Sequence, residues 1–281
     1  MQVSRQRVAL ALMPPLAGRL CYWVLMDLGL ASRRAVVTGA GRGIGRAIAL
    51  ELAREGAQLA LIARTQADLE EVASAIRARG GVAHVVVGDV ASEAGAAAAL
   101  DGARTVLGGV DVLVNNAGGS KGTGPFDAVD AAAWRAVVDL NLMSAVWCSQ
   151  RVVEGMKAQG HGVILHVASV FGREYGPSAP YVAAKGGLIA LTKEMGVDLI
   201  RHGIRVCSVA PGSILFPGGS WDRRRTQDPE RFEKVLRDEL PAGRFGTAEE
   251  VARVVTFLGS AAASWLTGIT VPVDGGQGRA L

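Results

Sequence analysis

Hydrophobic positions along this chain fall into two alternating rhythms. Short runs dominated by Val, Ile, Leu and Ala occur at Ala35–Thr38, Gln58–Ile62, Val82–Val87, Val110–Val114, Val163–Val167, Arg205–Val209 and Thr270–Val273. Continuous apolar runs of this kind, in place of strict apolar/polar alternation, belong to strands buried on both faces of a sheet. Between them apolar residues recur at helical spacing near 44–55, 67–79, 92–107, 131–158, 178–200 and 247–259, several segments ending at a glycine such as Gly56 or Gly80. The alternation predicts an α/β protein with a doubly wound, seven-stranded parallel sheet flanked by helices. The rhythm breaks over about 212–246, where Pro217, Gly218, Gly219, the cluster Trp221-Asp222-Arg223-Arg224-Arg225 and Pro241 replace periodic hydrophobics. A stretch that long predicts a lid or substrate loop. Alanine-rich stretches near 91–100 and 131–133 lie inside helical patterns and suit them.

The 281 residues suit one large domain, and no shift in composition marks a second. The apolar stretch from Val8 to Leu25 is interrupted by Pro14, Pro15 and Arg19, which leaves it too broken for a spanning helix, and it lacks a small-x-small cleavage pattern. The working domain is therefore expected over 26–281, with 1–25 an upstream start or a mobile N-terminal extension; the alternative is a membrane-facing anchor. Of the formal charge of +4, Arg5, Arg7 and Arg19 carry three units, so 26–281 holds too little positive charge to predict nucleic acid as a partner. Cys21, Cys148 and Cys207 are widely spaced without a CxxC, which predicts neither a disulfide framework nor a metal site and fits a cytoplasmic location.

Chemistry enters at the first strand–helix junction. Thr38-Gly39-Ala40-Gly41-Arg42-Gly43-Ile44-Gly45 places three glycines, Gly39, Gly43 and Gly45, in a GxxxGxG spacing where a dinucleotide pyrophosphate would rest on backbone N–H groups and the positive end of a helix. The second strand ends at Ile62-Ala63-Arg64, with no carboxylate to hold ribose hydroxyls. Arg64 and Arg42 are then either a fork for a 2′-phosphate, which favours NADP(H) over NAD(H), or solvated surface arginines. Asp89 is either an acceptor for an adenine amino group or a cap for the following helix.

Tyr181 and Lys185 stand four apart in a predicted helix and emerge on one face. A phenol is a poor base near neutral pH unless a cation stabilises its phenolate, and Lys185 together with an oxidised nicotinamide is expected to draw the Tyr181 pKa down. Ser169 follows the fifth strand at the carboxyl edge of the sheet, where doubly wound folds bind ligands; its hydroxyl either holds a substrate oxygen or caps a turn. Asn141 is a polar residue between Leu140 and Leu142 and either kinks its helix and holds a water leading to Lys185 or satisfies a local backbone group.

Taken together, these residues resemble the short-chain dehydrogenase/reductase family over essentially all of 26–281. The resemblance rests on Thr38-Gly39-x-x-x-Gly43-x-Gly45, Asn115-Asn116-Ala117-Gly118, Asn141, Ser169, Tyr181-x-x-x-Lys185, Pro211-Gly212 and Val273-Asp274-Gly275-Gly276. It implies a Rossmann-type fold, a catalytic set of Asn141, Ser169, Tyr181 and Lys185, no metal, and NAD(P)-dependent interconversion of a ketone and a secondary alcohol. It also implies cofactor contacts from Gly39, Arg42, Gly43, Ile44, Gly45, Arg64, Asp89, Val90, Asn116, Ala117, Gly118, Tyr181, Lys185, Pro211, Gly212 and Ile214. Two positions depart from the family pattern. Phe216 stands where many members have a Thr that contacts the pyrophosphate, and His166-Val167-Ala168-Ser169 replaces Asn-Ile-Ser-Ser.

Within the family the chain is similar to 3-oxoacyl-carrier-protein reductases and to related secondary-alcohol dehydrogenases, with a small ketone or alcohol as substrate and a homo-oligomer, tetramer or dimer, built on the helices at 131–158 and 178–200. Phe216, Trp221 and Arg223 to Arg225 suggest an apolar or aromatic substrate bearing a negative group. A catalytically silent nucleotide sensor or scaffold with the same fold is the competing class.

Overall fold

The computed structural model describes residues 27–121, 124, 126–176 and 178–280. The expectation for the extension at 1–25 and for a start at Met26 lies outside these residues. Seven strands, β1 (Arg34–Thr38), β2 (Gln58–Ala63), β3 (Val82–Val87), β4 (Val112–Asn115), β5 (Gly162–Val167), β6 (Ile204–Pro211) and β7 (Ile269–Val273), form one parallel sheet in the order β3-β2-β1-β4-β5-β6-β7. The order reverses between β1 and β4, so a crevice opens there at the carboxyl edge.

Both faces are covered, which is why the inner strands carry almost no polar side chain. On one face α1 (Gly43–Arg54), α2 (Gln66–Arg77) and α9 (Ala248–Gly259) bury Ile48, Leu52, Val72, Val251 and Val255 against Val37, Leu61, Leu165 and Val209. On the other, α3 (Glu93–Leu107) and α5 (Ser144–Gln159) pack on Val36, Ile62, Leu113 and Ile164. The alanines of α3 do more than favour helix: Ala96, Ala99 and Ala103 are buried, and their small size lets α3 lie close to sheet and α5. The buried Arg205 of β6 donates to the carbonyls of Leu258 (2.9 Å) and Ser260 (2.9 Å), groups the end of α9 leaves without helical partners.

One expectation is refined and another corrected. The helix at 131–158 forms without a break but not as a uniform α-helix: α4 (Ala131–Val138) passes through a widened π turn at Asp139–Met143 before α5 resumes. The span 212–246 is not an irregular loop, because α7 (Ser220–Gln227) and α8 (Pro229–Asp238) fold within it. Asp228 caps α8 by accepting from the Arg231 N–H (3.1 Å), Pro229 opens it, and Phe232 and Val235 bury one stripe with Leu240 and Phe245 in a small core of their own. The strand predicted from Val110 begins at Val112, Asp111 instead anchoring the opposite edge of the sheet.

There the Asp111 carboxylate accepts from the Arg34 backbone N–H (2.8 Å), Arg34 Nη2 (2.6 Å) and His161 Nε2 (3.1 Å). Burial pushes its pKa up, but the hydrogen bonds and charge of Arg34 outweigh burial and hold it at about 2, below its ordinary 3.8. A depressed folded pKa stabilises above the unfolded value and loses that contribution as pH falls through 3.8 toward 2. Asp111→Asn is therefore expected to cost about 2 kcal/mol at neutral pH, with the gap to wild type narrowing below about pH 4 in urea melts.

Candidate active site

The turn after β1 is locked from β4. Thr38 Oγ1 accepts from the N–H groups of Asn116 (3.0 Å) and Ala117 (3.1 Å), and Asn116 Nδ2 donates to the carbonyls of Thr38 (3.0 Å) and Gly39 (3.2 Å). Gly39 and Gly43 hold φ of 65° and 54°, a region costly to side chains. Gly45 is glycine for a different reason: a Cβ there would lie 2.2 Å from the Gly39 carbonyl oxygen and 2.4 Å from Asn116 Nδ2. At the start of α1, Arg42 provides no side-chain cap and the first turn holds no acidic residue, whereas α3, α4, α8 and α9 are capped by Ser92, Asp130, Asp228 and Thr247. The N–H groups of α1 are thus left for an anion, and the residues present fit a dinucleotide pyrophosphate.

Around this turn, Arg64 and Asp89 are exposed and face each other at 4.0 Å; Asp89 Oδ1 accepts from the Ala91 N–H (3.0 Å) in a local turn, and the cap of the following helix is Ser92 instead. Val90 is buried behind them. Asp68, in the first turn of α2, approaches Gly41, where a Cβ would stand 2.9 Å from Asp68 Cβ. Sequence reasoning passed over Asp68; its only signal there is an acidic residue at a helix start. The Phe216 ring lies against Gly43, its Cε2 2.6 Å from the position a Cβ would take. An aromatic ring therefore occupies the ground of the hydroxyl that many family members carry.

At the carboxyl ends of β4 and β5 the four candidate catalytic residues, Asn141, Ser169, Tyr181 and Lys185, converge. Tyr181 and Lys185 share one face of α6 (Ala179–Leu199), with Lys185 Nζ 5.7 Å from the centre of the Tyr181 ring and donating to the Val167 carbonyl (2.7 Å). Ser169 Oγ accepts from the Phe171 N–H (3.2 Å), and its hydroxyl faces Tyr181 closely enough to lower the phenol's pKa. Gly172 makes the approach possible: a Cβ there would meet the Lys185 carbonyl at 2.7 Å, so only glycine lets the serine loop touch α6.

Asn141 sits in the π turn and is buried. Its Nδ2 donates to the Val137 carbonyl (2.8 Å) and to the Gly119 carbonyl (2.9 Å), and its Oδ1 accepts from the Gly119 N–H (2.9 Å). Of the readings weighed for Asn141, these contacts show the local one: it satisfies backbone groups at a turn where the helix widens. Asn141 Oδ1 and Lys185 Nζ close around Gly118, lying 2.8 and 3.2 Å from where its Cβ would be.

Burial dominates the electrostatics. It pulls Lys185 down to about 8 and, with the Lys185 charge, holds the fully buried His166 at about 3, so that this imidazole is neutral. Burial raises the Tyr181 phenol above its ordinary 10, and the Ser169 hydrogen bond opposes the rise. In the chain by itself desolvation prevails over Ser169; the lowering expected from Lys185 acts together with the oxidised nicotinamide.

Beside this cluster, Pro211 ends β6, the Gly212 N–H donates to Val273 (3.1 Å), and the buried Ile214 bridges to Gly246. The Trp221–Arg225 cluster is turned to structural use. Trp221 packs on Phe245, Arg224 lies over Trp221, Arg225 pairs with Asp222 (2.9 Å), and Arg223 Nη1 donates to the Gly218 carbonyl (2.6 Å). Each arginine offered for an anionic substrate has a partner inside α7 or its approach.

Residues 33–227, which hold the glycine turn, Ser169, Tyr181 and Lys185, match a family model described as short chain dehydrogenase. The chain belongs to the short-chain dehydrogenase family. It is 42% identical to L-xylulose reductase of Bos taurus over 255 residues, which are 89% of this chain and 98% of the relative. A gluconate 5-dehydrogenase from Burkholderia cenocepacia, solved with NADP and tartrate, is 37% identical with a TM-score of 0.82, covering 91% of this chain and 98% of its own. A 7α-hydroxysteroid dehydrogenase solved with NADH and an oxo bile acid is 35% identical, also with a TM-score of 0.82, covering 89% and 96%. This short-chain dehydrogenase is an NAD(P)-dependent oxidoreductase that interconverts a ketone and a secondary alcohol by hydride transfer. None of these relatives favours the silent-sensor alternative. Among the described residues, no helix is long and apolar enough to cross a membrane.

Proposed function

We propose that this dehydrogenase acts as an NADPH-preferring reductase of small ketones with Tyr181 as its acid/base. The carrying observation is that Tyr181 and the buried Lys185 share one face of α6, with Lys185 Nζ 5.7 Å from the Tyr181 ring centre and the turn that begins at Ser169 packed against that helix. The cofactor, when bound along the α1 turn by Gly39, Gly43, Ile44, Gly45, Asn116, Ala117 and Gly118 and beside Pro211, Gly212 and Ile214, supplies or accepts the hydride. Tyr181 gives its proton to the carbonyl oxygen as the carbonyl carbon is reduced, and Ser169 holds that oxygen in line. Because desolvation disfavours the resulting phenolate, Lys185 must face it as the ammonium. Lys185 and a water held beside Asn141, which stands across Gly118 from Lys185, would return the proton from solvent to Tyr181. Residues 212–246, with α7 and α8, form the lid over the substrate.

Preference for NADP(H) follows from Arg42 and Arg64 together with the absence of a carboxylate at the end of β2. The Arg64–Asp89 pair is exposed and long, worth at most about 1 kcal/mol, and yields readily to a 2′-phosphate. Fluorescence titration is expected to show tighter binding of NADPH than of NADH, with turnover of ketones from a broad panel. Arg64→Ala is expected to cut NADPH affinity by roughly 10- to 100-fold and leave NADH nearly unchanged. Tighter NADH in the wild type would reverse the preference.

A homo-oligomer, dimer or tetramer, is supported by a groove of about 570 Å³ between α5 and α6, lined by Val146, Val153, Leu191, Met195 and Leu199 and edged by Glu154, Lys157 and Asp198. Charges of both signs around an apolar floor suit a two-fold copy of the same face. Sedimentation of the purified protein as a monomer would remove this assignment. The buried free thiols of Cys148 and Cys207 are compatible with the cytoplasm.

A further inference from the structure

The chain after β7 turns back on itself and reaches both sides of the reactive centre. Gly275 and Gly276 take φ of 61° and 83°, and the Asp274 carboxylate tightens the reversal by accepting from the N–H groups of Gly276 (3.0 Å) and Gly278 (2.9 Å). The Gln277 carboxamide is thereby seated on the segment that follows β6. Its Oε1 accepts from the Ser213 N–H (2.7 Å) and its Nε2 donates to Ser213 Oγ (3.0 Å). A Cβ on Gly212 would come within 2.7 Å of the same Oε1, so glycine at 212 is what admits the amide. Two residues further, the Arg279 N–H is held by Glu174 Oε1 (2.9 Å), on the loop that begins at Ser169.

We infer that Gln277 is a positioning residue for hydride transfer, its amide fixing the Pro211–Ile214 segment at the height and angle at which the nicotinamide must face Tyr181. This rests on the reading of that segment as the nicotinamide contact. The physical basis is an accounting of donors. Ser213 is buried, the Gly246 N–H takes its carbonyl (3.0 Å), and its own N–H has Gln277 as the acceptor the structure provides. Losing that acceptor leaves a buried N–H unpaired, which the segment relieves by shifting. Hydride transfer is sensitive to such shifts, because a displacement near 1 Å at the reacting centre costs about 100-fold in rate. A two-point hold by one planar amide also restrains rotation of Ser213, which a single hydrogen bond does not.

The test compares wild type, Gln277→Ala and Gln277→Glu in the full chain, each assayed with the ketone on which the wild type turns over. Gln277→Ala is expected to lower kcat roughly 10- to 100-fold while the ketone KM and the melting temperature change little, and to raise the primary isotope effect with 4-deuterated NADPH as the transfer step becomes limiting. Gln277→Glu keeps an acceptor for the Ser213 N–H and also accepts from its hydroxyl, and should recover most of the rate. A wild-type kcat and isotope effect in Gln277→Ala would overturn the inference, as would a loss that follows melting temperature alone in both variants. If the wild type reduces no ketone, the proposed function fails, not this positioning role, and the two failures are told apart by the wild-type assay.

Discussion

Tyr181→Phe is expected to reduce ketone turnover by about 10³-fold while NADPH still binds within about twofold of wild type. Acid/base groups of this kind contribute roughly 10²- to 10⁴-fold, and the substitution removes the phenolic oxygen alone. The phenyl ring keeps the packing on α6 and its place near Lys185 Nζ, 5.7 Å from the ring centre. Ser169 loses the phenol oxygen it faces but keeps the Phe171 N–H, so its rotamer is retained. Single-turnover measurements together with a cofactor titration check the split. Retention of more than about a tenth of the wild-type rate would assign proton transfer to another group, Ser169 or a solvent path, and undo the assignment of Tyr181.

Gly45→Ala carries the second large effect, and its cause is tertiary. A methyl group would stand 2.2 Å from the Gly39 carbonyl oxygen and 2.4 Å from Asn116 Nδ2, both of them backbone or backbone-anchored, so neither can turn aside. Either α1 lifts from the turn or the turn opens, and both displace the N–H groups offered to the pyrophosphate. The expected result is a loss of about 1–3 kcal/mol in stability and a fall of at least about 100-fold in affinity for both cofactors. Gly155→Ala, on the exposed side of α5 with nothing near its Cβ position, is the matched control and should be neutral or slightly stabilising. Cofactor binding by Gly45→Ala at wild-type strength would show that the turn does not hold the pyrophosphate.

These two sites differ in how far the sequence discloses them. Tyr181 and Lys185 are four apart in a helix, so their sharing of a face follows from helical geometry and needs no fold. The strand and helix rhythm is legible for the same reason, since a strand buried on both faces must be apolar throughout and an amphipathic helix must repeat every three to four residues. Glycines in the first turn announce a cradle, and the absence of a carboxylate after Ala63 can be read directly.

What the sequence by itself determined is thus the order of elements, the doubly wound class and the family, and it singled out Asn141, Ser169, Tyr181 and Lys185 as the candidate catalytic set. Only the tertiary structure decided what surrounds them. That the Tyr181 pKa rises follows from desolvation, and that the serine loop lies on α6 follows from the bare Cα of Gly172 against Lys185. The widened turn at Asn141 answers to Gly119, the ring of Phe216 to Gly43, and the hold on Ser213 to Gln277 sixty-four residues away. The two helices inside 212–246 escaped notice because α7 is polar but for Trp221 and α8 has few apolar positions, which find their partners in Leu240 and Phe245. Periodicity reports which side of an element is buried. Desolvation, hydrogen bonds across the chain and the space that forbids a Cβ depend on which segments meet, and those distances exist only once the sheet has formed.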